Sequence, residues 1–390
     1  MNTEMLAINR RDKYTQIYEM LYSDLLVGKY SMGQKIPNAV DLAKKYGVSR
    51  PTITRAIERL EKDGIVVRRQ GAGTFVTQNI PAVNSKLGVL SSGLKVEPKA
   101  FKGFASLFGQ VVSSIANSSH GTDYVMLMNE LPFSSDEDEA LGRALEISRQ
   151  LINMGVRGVF FVPFNVSPEN KTVNGEIVNI FRNAGVHVVL IDRDICEYPH
   201  RSSCDLVEID NRRAGFKITE HLISLGCHKI DFLTGLNPAS TTKERIKGYK
   251  DALKRHGIEP ESSRVHRFGL SQPDSKQELK LVKDILANTD ADAFVCSTDR
   301  LAPSLMRNLE KVGIRIPEQI RVVGFDGEPF TEYLPVPLTT VCQPAEAIGS
   351  EAFRLMKSRI DNPQMPVQTV TLETELIVRQ SCGAKLEARK

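Results

Sequence analysis

Apolar residues in the first 65 positions recur at helical spacing in three separate stretches. The first predicted helix carries its apolar face between Tyr14 and Leu25. A short second helix ends near Gly47, and a longer third helix starts after Ser49, a natural N-cap, and closes at Gly64. The tight turn between the last two helices predicts a helix-turn-helix.

A hairpin is predicted directly after the third helix. Residues 65–76 read IVVRRQGAGTFV, which is two β-rich runs around two glycines. Two short helices, a longer helix and a hairpin describe an α+β winged helix-turn-helix, whose third helix enters the major groove of DNA. We therefore predict a DNA-binding domain over residues 1–78.

Candidate DNA-contacting residues lie in the first half of the third helix and in the hairpin. Long and hydroxyl side chains at the helix start can reach base edges, and the helix amides suit a phosphate. Basic side chains and glycines in the hairpin bring charge and backbone against a phosphate or the minor groove. The predicted set is Arg50, Thr52, Thr54, Arg55, Arg68, Arg69, Gly71 and Gly73. The alternative is an ordinary three-helix core with solvated basic residues.

The charge distribution favours the DNA-binding interpretation. Residues 1–78 hold 13 basic and 8 acidic side chains, whereas the other 312 residues hold 38 basic and 39 acidic ones. The positive balance therefore lies in the N-terminal fifth of the chain, as expected for a nucleic-acid module on a nearly neutral body.

The pattern changes after residues 79–86, a polar stretch predicted to be a linker. Short apolar runs such as GVFFVPF and HVVLIDR then alternate with helical stretches. This alternation predicts parallel sheets with helices on both faces, an α/β architecture. About seven such units over residues 87–390 favour two doubly wound lobes, with a ligand crevice at the strand ends.

Polar side chains at those strand ends are the candidate ligand-binding residues. Carboxylates and arginines with neighbouring hydroxyls suit a polyhydroxylated ligand, because they can accept and donate several hydrogen bonds at once. The predicted residues are Ser92, Asp192, Arg193, Arg245, Thr298 and Asp326. Structural alternatives stay open: Asp192 could pair with Arg193 on a surface loop, Asp326 could cap a turn, and Arg245 could face solvent.

Several other classes of function have no support in the sequence. A Walker A motif and a G-x-G-x-x-G after a strand are both absent from the sequence, so we expect no nucleotide cofactor. The seven histidines and six cysteines show no metal-ligand spacing, so we expect no metal site and free thiols. No apolar run reaches the length of a membrane span, and the N-terminus lacks the pattern of a secretory signal, which predicts a cytoplasmic protein.

Residues 13–77 resemble the GntR-type DNA-binding domain. The resemblance rests on KYTQIYEMLYSDLLVGKYSMGQKIP, DLAKKYGVSRPTITRAIERLEKDGIV and GAGTFV. It implies DNA contacts by Arg50, Thr52 and the hairpin glycines. The chain departs from the family at Val40, where an arginine is usual, and at Thr54 and Arg55, where the usual arginine is shifted by one position.

Residues 87–382 resemble the effector domain of the LacI family, which is similar to periplasmic sugar-binding proteins. The matching stretches include HVVLIDRDI, RIKGYKDALKRHGI and IRVVGFDG. The resemblance implies that Asp192, Arg245 and Asp326 face an effector cleft. Thr298 stands where the family usually has an asparagine. Phe330 could supply an aromatic lid or could pack near the hinge.

The combination resembles the architecture of arabinose-responsive repressors. It implies a transcriptional regulator without enzymatic activity, a homodimer that binds a near-palindromic operator and is released from it by a sugar-type effector. A purine or another small molecule acting as a corepressor is the first alternative. The others are a sugar-processing enzyme, a transport-type binding protein and a non-specific DNA binder.

Overall fold

The computed structural model describes residues 13–26, 30, 33–77, 85–91, 106–130, 137–165, 172–269 and 276–384. The chain forms two compact units. One comprises the described part of Met1–Ser85 together with Gly121–Val125, and the other comprises the described part of Lys86–His120 and Met126–Lys390. In the part of the chain described, no helix is long and apolar enough to cross a membrane.

The first unit is a three-helix domain followed by a hairpin, the predicted winged helix-turn-helix. Its elements are α1 (Lys13–Leu26), α2 (Ala39–Tyr46), α3 (Arg50–Lys62), β1 (Val66–Arg69) and β2 (Gly73–Val76). The two strands are antiparallel, with Val66 opposite Val76 and Arg69 opposite Gly73. Apolar residues from all three helices and both strands form one core, which includes Leu21, Leu42 and Ile53.

Local sequence signals set the helix-turn-helix geometry. The Asn38 side chain caps α2 by accepting hydrogen bonds from the amides of Val40 and Asp41 at 2.9 and 3.0 Å. Gly47 ends the helix in the left-handed conformation, with φ +65°, and its amide donates to the carbonyl of Ala43. The chain can therefore reverse within three residues and start α3 at Arg50.

The second unit contains two six-stranded sheets, each the centre of one lobe. The N-terminal lobe has the strand order β13-β7-β6-β5-β3-β4 and the C-terminal lobe has the order β14-β12-β11-β10-β8-β9. Neighbouring strands from β3 through β5, β6 and β7 to β13 are parallel, as are those from β9 through β8, β10 and β11 to β12. The two doubly wound lobes predicted from the sequence are confirmed.

The strands of the N-terminal lobe are β3 (Ser85–Ser91), β4 (Tyr124–Glu130), β5 (Val156–Phe161), β6 (His187–Ile191), β7 (Asp205–Ile209) and β13 (Thr369–Leu372). Those of the C-terminal lobe are β8 (Ile230–Thr234), β9 (Val265–Arg267), β10 (Ala293–Cys296), β11 (Arg321–Asp326), β12 (Thr339–Cys342) and β14 (Glu375–Ile377). The first of these strands begins at Ser85, two residues inside the segment predicted to be a linker.

Helices flank both sheets. They are α4 (Leu107–Ser119), α5 (Glu137–Asn153), α6 (Val173–Asn183), α7 (Asn211–Ser224), α8 (Ser240–Arg255), α9 (Lys276–Ala287), α10 (Ala302–Lys311) and α11 (Ala345–Asp361), with 3₁₀ turns at Ser262–Arg264 and Pro329–Tyr333. Each lobe has its own apolar core between sheet and helices.

The chain passes between the two lobes three times. It leaves the N-terminal lobe between β7 and α7, returns between β12 and α11, and leaves again between β13 and β14. Because the central strands of each sheet are parallel, their carboxyl ends meet at one edge, and the loops there face the other lobe. The candidate ligand-binding residues follow these strand ends.

Candidate functional site

The first half of α3 carries two exposed arginines that have no partner among the described residues. Arg50 and Arg55 are both exposed. Neither forms an ion pair or a side-chain hydrogen bond with any residue in the described ranges. A guanidinium left free at the start of an exposed helix can bind a base edge or a phosphate.

The two threonines of the predicted set use their hydroxyl groups locally. The Thr54 hydroxyl donates to the carbonyl of Arg50 at 3.0 Å, and the Thr52 hydroxyl lies 2.8 Å from that of Ser49. Both side chains are partly exposed. They shape the first turn of α3, where a neighbouring base or phosphate would compete for the same hydroxyls.

The hairpin arginines differ from those of α3 because internal contacts hold them. Arg68 lies 3.7 Å from a Glu58 carboxylate oxygen and 3.5 Å from one of Glu61, and its Nη2 donates to the carbonyl of Thr54. The Arg69 guanidinium lies 5.0 Å from the centre of the Phe75 ring. Arg68 therefore ties the hairpin to α3.

The hairpin turn itself depends on glycine. Gly71 and Gly73 have φ values of +75° and +117°, which side chains disfavour. A Cβ on Gly71 would meet no neighbour, whereas a Cβ on Gly73 would lie 2.4 Å from Cε of Lys35. The turn therefore keeps bare backbone at its tip, which permits close approach to a phosphate.

Five predicted residues of the second unit converge on one cavity between the lobes. The cavity has a volume of about 270 Å³. The predicted residues that line it are Asp192, Arg193, Arg245, Thr298 and Asp326. They come from the end of β6, from α8, from the loop after β10 and from the end of β11, so both lobes contribute.

Arg245 is the buried centre of the C-terminal wall. Its Nε donates to Oδ1 of Asn211 at 2.8 Å, and its Nη1 donates to the carbonyl of Ser297 at 2.6 Å. The guanidinium lies 3.6 Å from the centre of the Phe325 ring and 3.4 Å from Oδ1 of Asp326. These contacts fix the plane of the guanidinium before any ligand binds.

Asp326 belongs to a group of three buried carboxylic acids. Gln343 donates to its Oδ1 at 2.8 Å, while Asp299 accepts from the Thr340 hydroxyl at 2.7 Å and from the amide of Glu328 at 2.8 Å. Burial raises the pKa of Asp326 to about 8 and that of Asp299 to about 6. The charge of Arg245 opposes this rise at Asp326, and the neighbouring acids reinforce it.

Two nitrogen atoms of the Arg193 guanidinium make no hydrogen bond with a described residue. Its Nε lies 2.9 Å from Oδ2 of Asp192, yet neither Nε nor Nη1 has a hydrogen-bond partner among the described residues. The two side chains do pair with each other, but they line the cavity rather than a surface loop. Buried donors of this kind favour a ligand that supplies oxygen acceptors.

Two predicted residues do not take part in the described cavity. Phe330 is 3% exposed in a 3₁₀ turn and does not line the cavity, which matches the packing alternative rather than the aromatic lid. Ser92 lies outside the described residues. The aromatic side chain that does line the cavity is Phe108, near the start of α4.

Sequence reasoning missed several other lining residues. Besides Phe108, they include Thr241, Thr242, Arg300, Glu328 and Gln343. Arg300 donates from Nε to Oε1 of Glu328 at 2.9 Å, next to the buried acids. Arg300 and Glu328 lie just after β10 and β11, whose ends also carry the predicted residues Thr298 and Asp326. The predicted strand ends gave no such signal for Gln343, after β12, or for Thr241 and Thr242, in α8.

No metal site is found in the described ranges. No group of three or more histidine, cysteine, aspartate or glutamate side chains there has a geometry that could hold a metal ion.

Two family models match the chain. Residues 13–76 match the bacterial regulatory proteins of the gntR family, and residues 219–382 match the periplasmic binding protein-like domain. The first match covers the helix-turn-helix and the hairpin. The second covers most of the C-terminal lobe and α11.

Curated relatives extend over nearly the whole chain. The arabinose metabolism transcriptional repressor of Geobacillus stearothermophilus is 25% identical over 382 residues, which cover 95% of this chain and 97% of the relative. The protein of the same name from Halalkalibacterium halodurans is 26% identical over 386 residues, with 95% and 96% coverage.

Solved structures agree on the fold. The complex of the transcriptional regulator CelR with cellobiose superposes with a TM-score of 0.63 at 23% identity, over 89% of this chain and all of that chain. The regulator CcpA of Lactococcus lactis gives a TM-score of 0.62 at 21% identity, over 76% and 99%. The chain is thus a transcriptional regulator in which a DNA-binding domain of the gntR family is fused to a periplasmic binding protein-like domain.

Proposed function

We propose that the chain is a homodimeric repressor of carbohydrate-utilisation genes, bound to operator DNA through Arg50 and Arg55 and released from it by a sugar-type effector. One observation carries this proposal: in a chain with a GntR-type domain, a cavity between two lobes gathers the acidic and basic side chains of Asp192, Arg193, Arg245 and Asp326. The relatives that support it are repressors of arabinose metabolism.

The composition of the cavity favours a small polyhydroxylated ligand. Arginines and carboxylic acids alternate around it, so neighbouring hydroxyls can donate to one group and accept from the next. Its volume of about 270 Å³ lies just below the roughly 300–1,000 Å³ of pockets for drug-sized molecules. Phe108 adds an apolar face against which a sugar ring can pack.

The mechanism we propose is a shift between two arrangements of the lobes. A ligand that contacts both walls stabilises the closed arrangement, and the three connections between the lobes carry the change. Coupling between effector and operator of about 1–3 kcal/mol would change operator affinity about 5–150-fold. Two-fold symmetry of the dimer would match a near-palindromic operator. Such a regulator acts where the chromosome lies, so we propose a cytoplasmic protein without enzymatic activity.

The first experiment selects an operator and then tests its release. Purified chain is used to enrich binding sequences from random DNA, and the enriched site is titrated with and without arabinose, ribose, glucose, cellobiose and hypoxanthine. We expect one sugar to reduce operator affinity at least fivefold. Tighter binding with hypoxanthine would instead favour the purine corepressor, for which the PurR repressor of Vibrio vulnificus, 31% identical over 47% of this chain, is the supporting relative.

The DNA-contacting residues are tested on the same operator. Arg50→Ala and Arg55→Ala should each weaken specific binding about 5–150-fold, because a good arginine contact to a base is worth about 1–3 kcal/mol. Arg354→Ala, which removes an exposed arginine from α11, is the matched control and should change nothing. Equal affinity for the selected and scrambled sequences would contradict the proposal and indicate a non-specific binder.

A further inference from the structure

A second, larger cavity adjoins the effector cleft. It has a volume of about 810 Å³. The loop after β6, the start of α8, the edge strand β13 and its neighbour β7 form its walls. We call it the Tyr198 groove after Tyr198, a side chain of its lining that is 88% exposed. Of the residues predicted to bind the effector, Asp192 and Arg193 line this groove, and both also line the cleft.

The two cavities share a wall. Asp192, Arg193 and Thr241 line both the cleft and the Tyr198 groove. The guanidinium of Arg193 lies at this junction: its Nε is ion-paired with Oδ2 of Asp192, and neither Nε nor Nη1 makes a hydrogen bond with a described residue. A ligand that passes from one cavity to the other would present oxygen atoms to these donors.

The lining of the groove does not favour a phosphate or another anion. Both lysines there are already paired with glutamates: Lys243 lies 3.5 Å from Glu197, and Lys247 lies 2.6 Å from Glu244. Arg212 is likewise paired, with Asp251 at 2.6 Å. Arg193 and Arg201 also line the groove, but its five basic side chains face six acidic ones, so the lining has no positive excess. A neutral ligand with many hydroxyl groups can bind between such pairs without breaking them.

Glu208 adds a group suited to hydroxyls. Its half-buried carboxyl lines the groove on β7. Burial raises the pKa of Glu208 to about 7, the charges of Asp192 and Asp194 reinforce the rise, and Arg201 opposes it. A carboxyl group that holds a proton part of the time can both donate to and accept from a sugar hydroxyl. The exposed ring of Tyr198 offers an apolar face at the rim.

We propose that the Tyr198 groove is a second subsite of the effector cleft, and that the effector is an oligosaccharide or glycoside. Its first ring fills the cleft beside Arg245 and Asp326. Its second ring lies in the groove, between Arg193 and the ring of Tyr198. This inference rests on the proposed effector role of the cleft and adds the length of the ligand to it.

The test compares sugars in pairs that differ by one ring. Arabinose and 1,5-linked arabinobiose, glucose and cellobiose, and xylose and xylobiose are titrated by calorimetry into the full chain. We expect the disaccharide of one pair to bind at least tenfold more tightly than its monosaccharide. In Tyr198→Ala, disaccharide binding should weaken about fivefold or more, while monosaccharide binding stays within twofold of the wild type.

Tyr333→Ala is the matched control. It removes a tyrosine that is 72% exposed and does not line the cleft or the groove, so it should leave both affinities unchanged. Equal affinity for the two sugars of every pair would overturn the second subsite, and so would a disaccharide affinity that is unchanged in Tyr198→Ala. Either result would leave the proposed function standing. No binding by any sugar of either length would overturn both.

Discussion

Backbone conformation at two residues identifies the cleft independently of its side chains. Among the described residues, Asp192 and Asp326 are the two non-glycine residues with positive φ, at +76° and +119°. Such conformations cost on the order of 1–3 kcal/mol and concentrate at functional sites. Both residues line the same cavity and come from different lobes. The fold thus stores strain at the two carboxylates that we assign to the effector.

Replacing the Asp326 carboxylate should separate effector binding from DNA binding. Asn tolerates positive φ and keeps the size of the side chain, so Asp326→Asn removes mainly the carboxylic acid. The amide of Asn places its donor and acceptor differently from a carboxyl group, and a buried polar group left without a partner costs about 1–3 kcal/mol, which predicts effector binding weaker by about 5–150-fold in calorimetry. Operator affinity without effector should stay within twofold of the wild type. An unchanged response to the effector would remove Asp326 from the site.

The same residue should give the protein a distinctive pH dependence. Burial raises the pKa of Asp326 to about 8, with Asp299 and Glu328 adding to the rise and Arg245 opposing it. The folded state therefore holds this proton more tightly than the unfolded state, whose pKa is near 4. The resulting stability is fully present below about pH 4 and is lost as the pH rises towards 8.

Differential scanning calorimetry of Asp326→Asn against the wild type isolates this effect. We expect the stability of the variant relative to the wild type to increase between pH 5 and pH 8, by about 1 kcal/mol or more, since one pKa unit corresponds to about 1.4 kcal/mol. Glu208, which lies outside this group of acids, titrates in both proteins and so cancels in the comparison. A difference that stays constant with pH would show that Asp326 is ionised throughout the range.

At the scale of single residues, the sequence predicted the cavity residues that end apolar runs but not those that other elements bring to the cavity. Asp192 and Asp326 end apolar runs, which made them visible in the sequence. Phe108 enters the cavity from the first turn of α4, and Gln343 enters it after β12. Their positions depend on which strands become neighbours, and no local pattern encodes that. Phe330, aromatic and close to Asp326 in sequence, is buried instead.

At the scale of elements, the contact between α7 and α8 places Arg245. The helices meet at two glycines: a Cβ on Gly215 would lie 2.2 Å from the carbonyl oxygen of Arg245, and a Cβ on Gly248 would lie 1.9 Å from that of Arg212. Because these neighbours are backbone atoms, they cannot move without the helix. This close approach also lets Asn211 at the start of α7 accept from Arg245.

Gly248→Ala should therefore weaken effector binding, although Gly248 does not line the cleft. The added methyl group must push α8 away from α7, which we expect to destabilise the second unit by about 1–3 kcal/mol, as overpacking does. Effector affinity should fall with it, while the DNA-binding unit is untouched. The control is Gly235→Ala, since a Cβ there would meet no neighbour. Calorimetry gives the unfolding of each variant, and normal effector binding by Gly248→Ala would contradict the positioning role.

The alternation of strands and helices was sufficient to predict two doubly wound lobes, but it did not predict every strand. Five strands, β7, β9, β12, β13 and β14, are missing from the predicted apolar runs. The last two are short and half exposed, so they lack a continuous apolar run. They matter because they form the third connection between the lobes, with β13 beside β7 and β14 antiparallel to β12. A long-range pairing of this kind is fixed by the assembled sheets.

At the scale of the second unit, direct contacts across the cleft accompany the covalent connections. The Asn165 side chain in the N-terminal lobe donates to the carbonyl of Asn237 in the C-terminal lobe at 2.7 Å. The ion pair of Lys243 with Glu197 crosses the groove in the same way. These contacts exist when the lobes are close together. They therefore contribute to the closed arrangement that we propose the effector stabilises.

Removing one such contact should weaken effector binding and the release of operator DNA by the same factor. A neutral hydrogen bond is worth about 0.5–1.5 kcal/mol, so Asn165→Ala should lower the ratio of closed to open lobes about 2–12-fold. Because the effector binds the closed arrangement, its Kd and the concentration that releases half of the operator DNA should both rise by up to that factor. Asn183→Ala, an exposed residue at the end of α6, is the control. If Kd rises but the half-release concentration does not, effector binding and operator release are not linked through lobe closure, since coupling between two sites must be reciprocal.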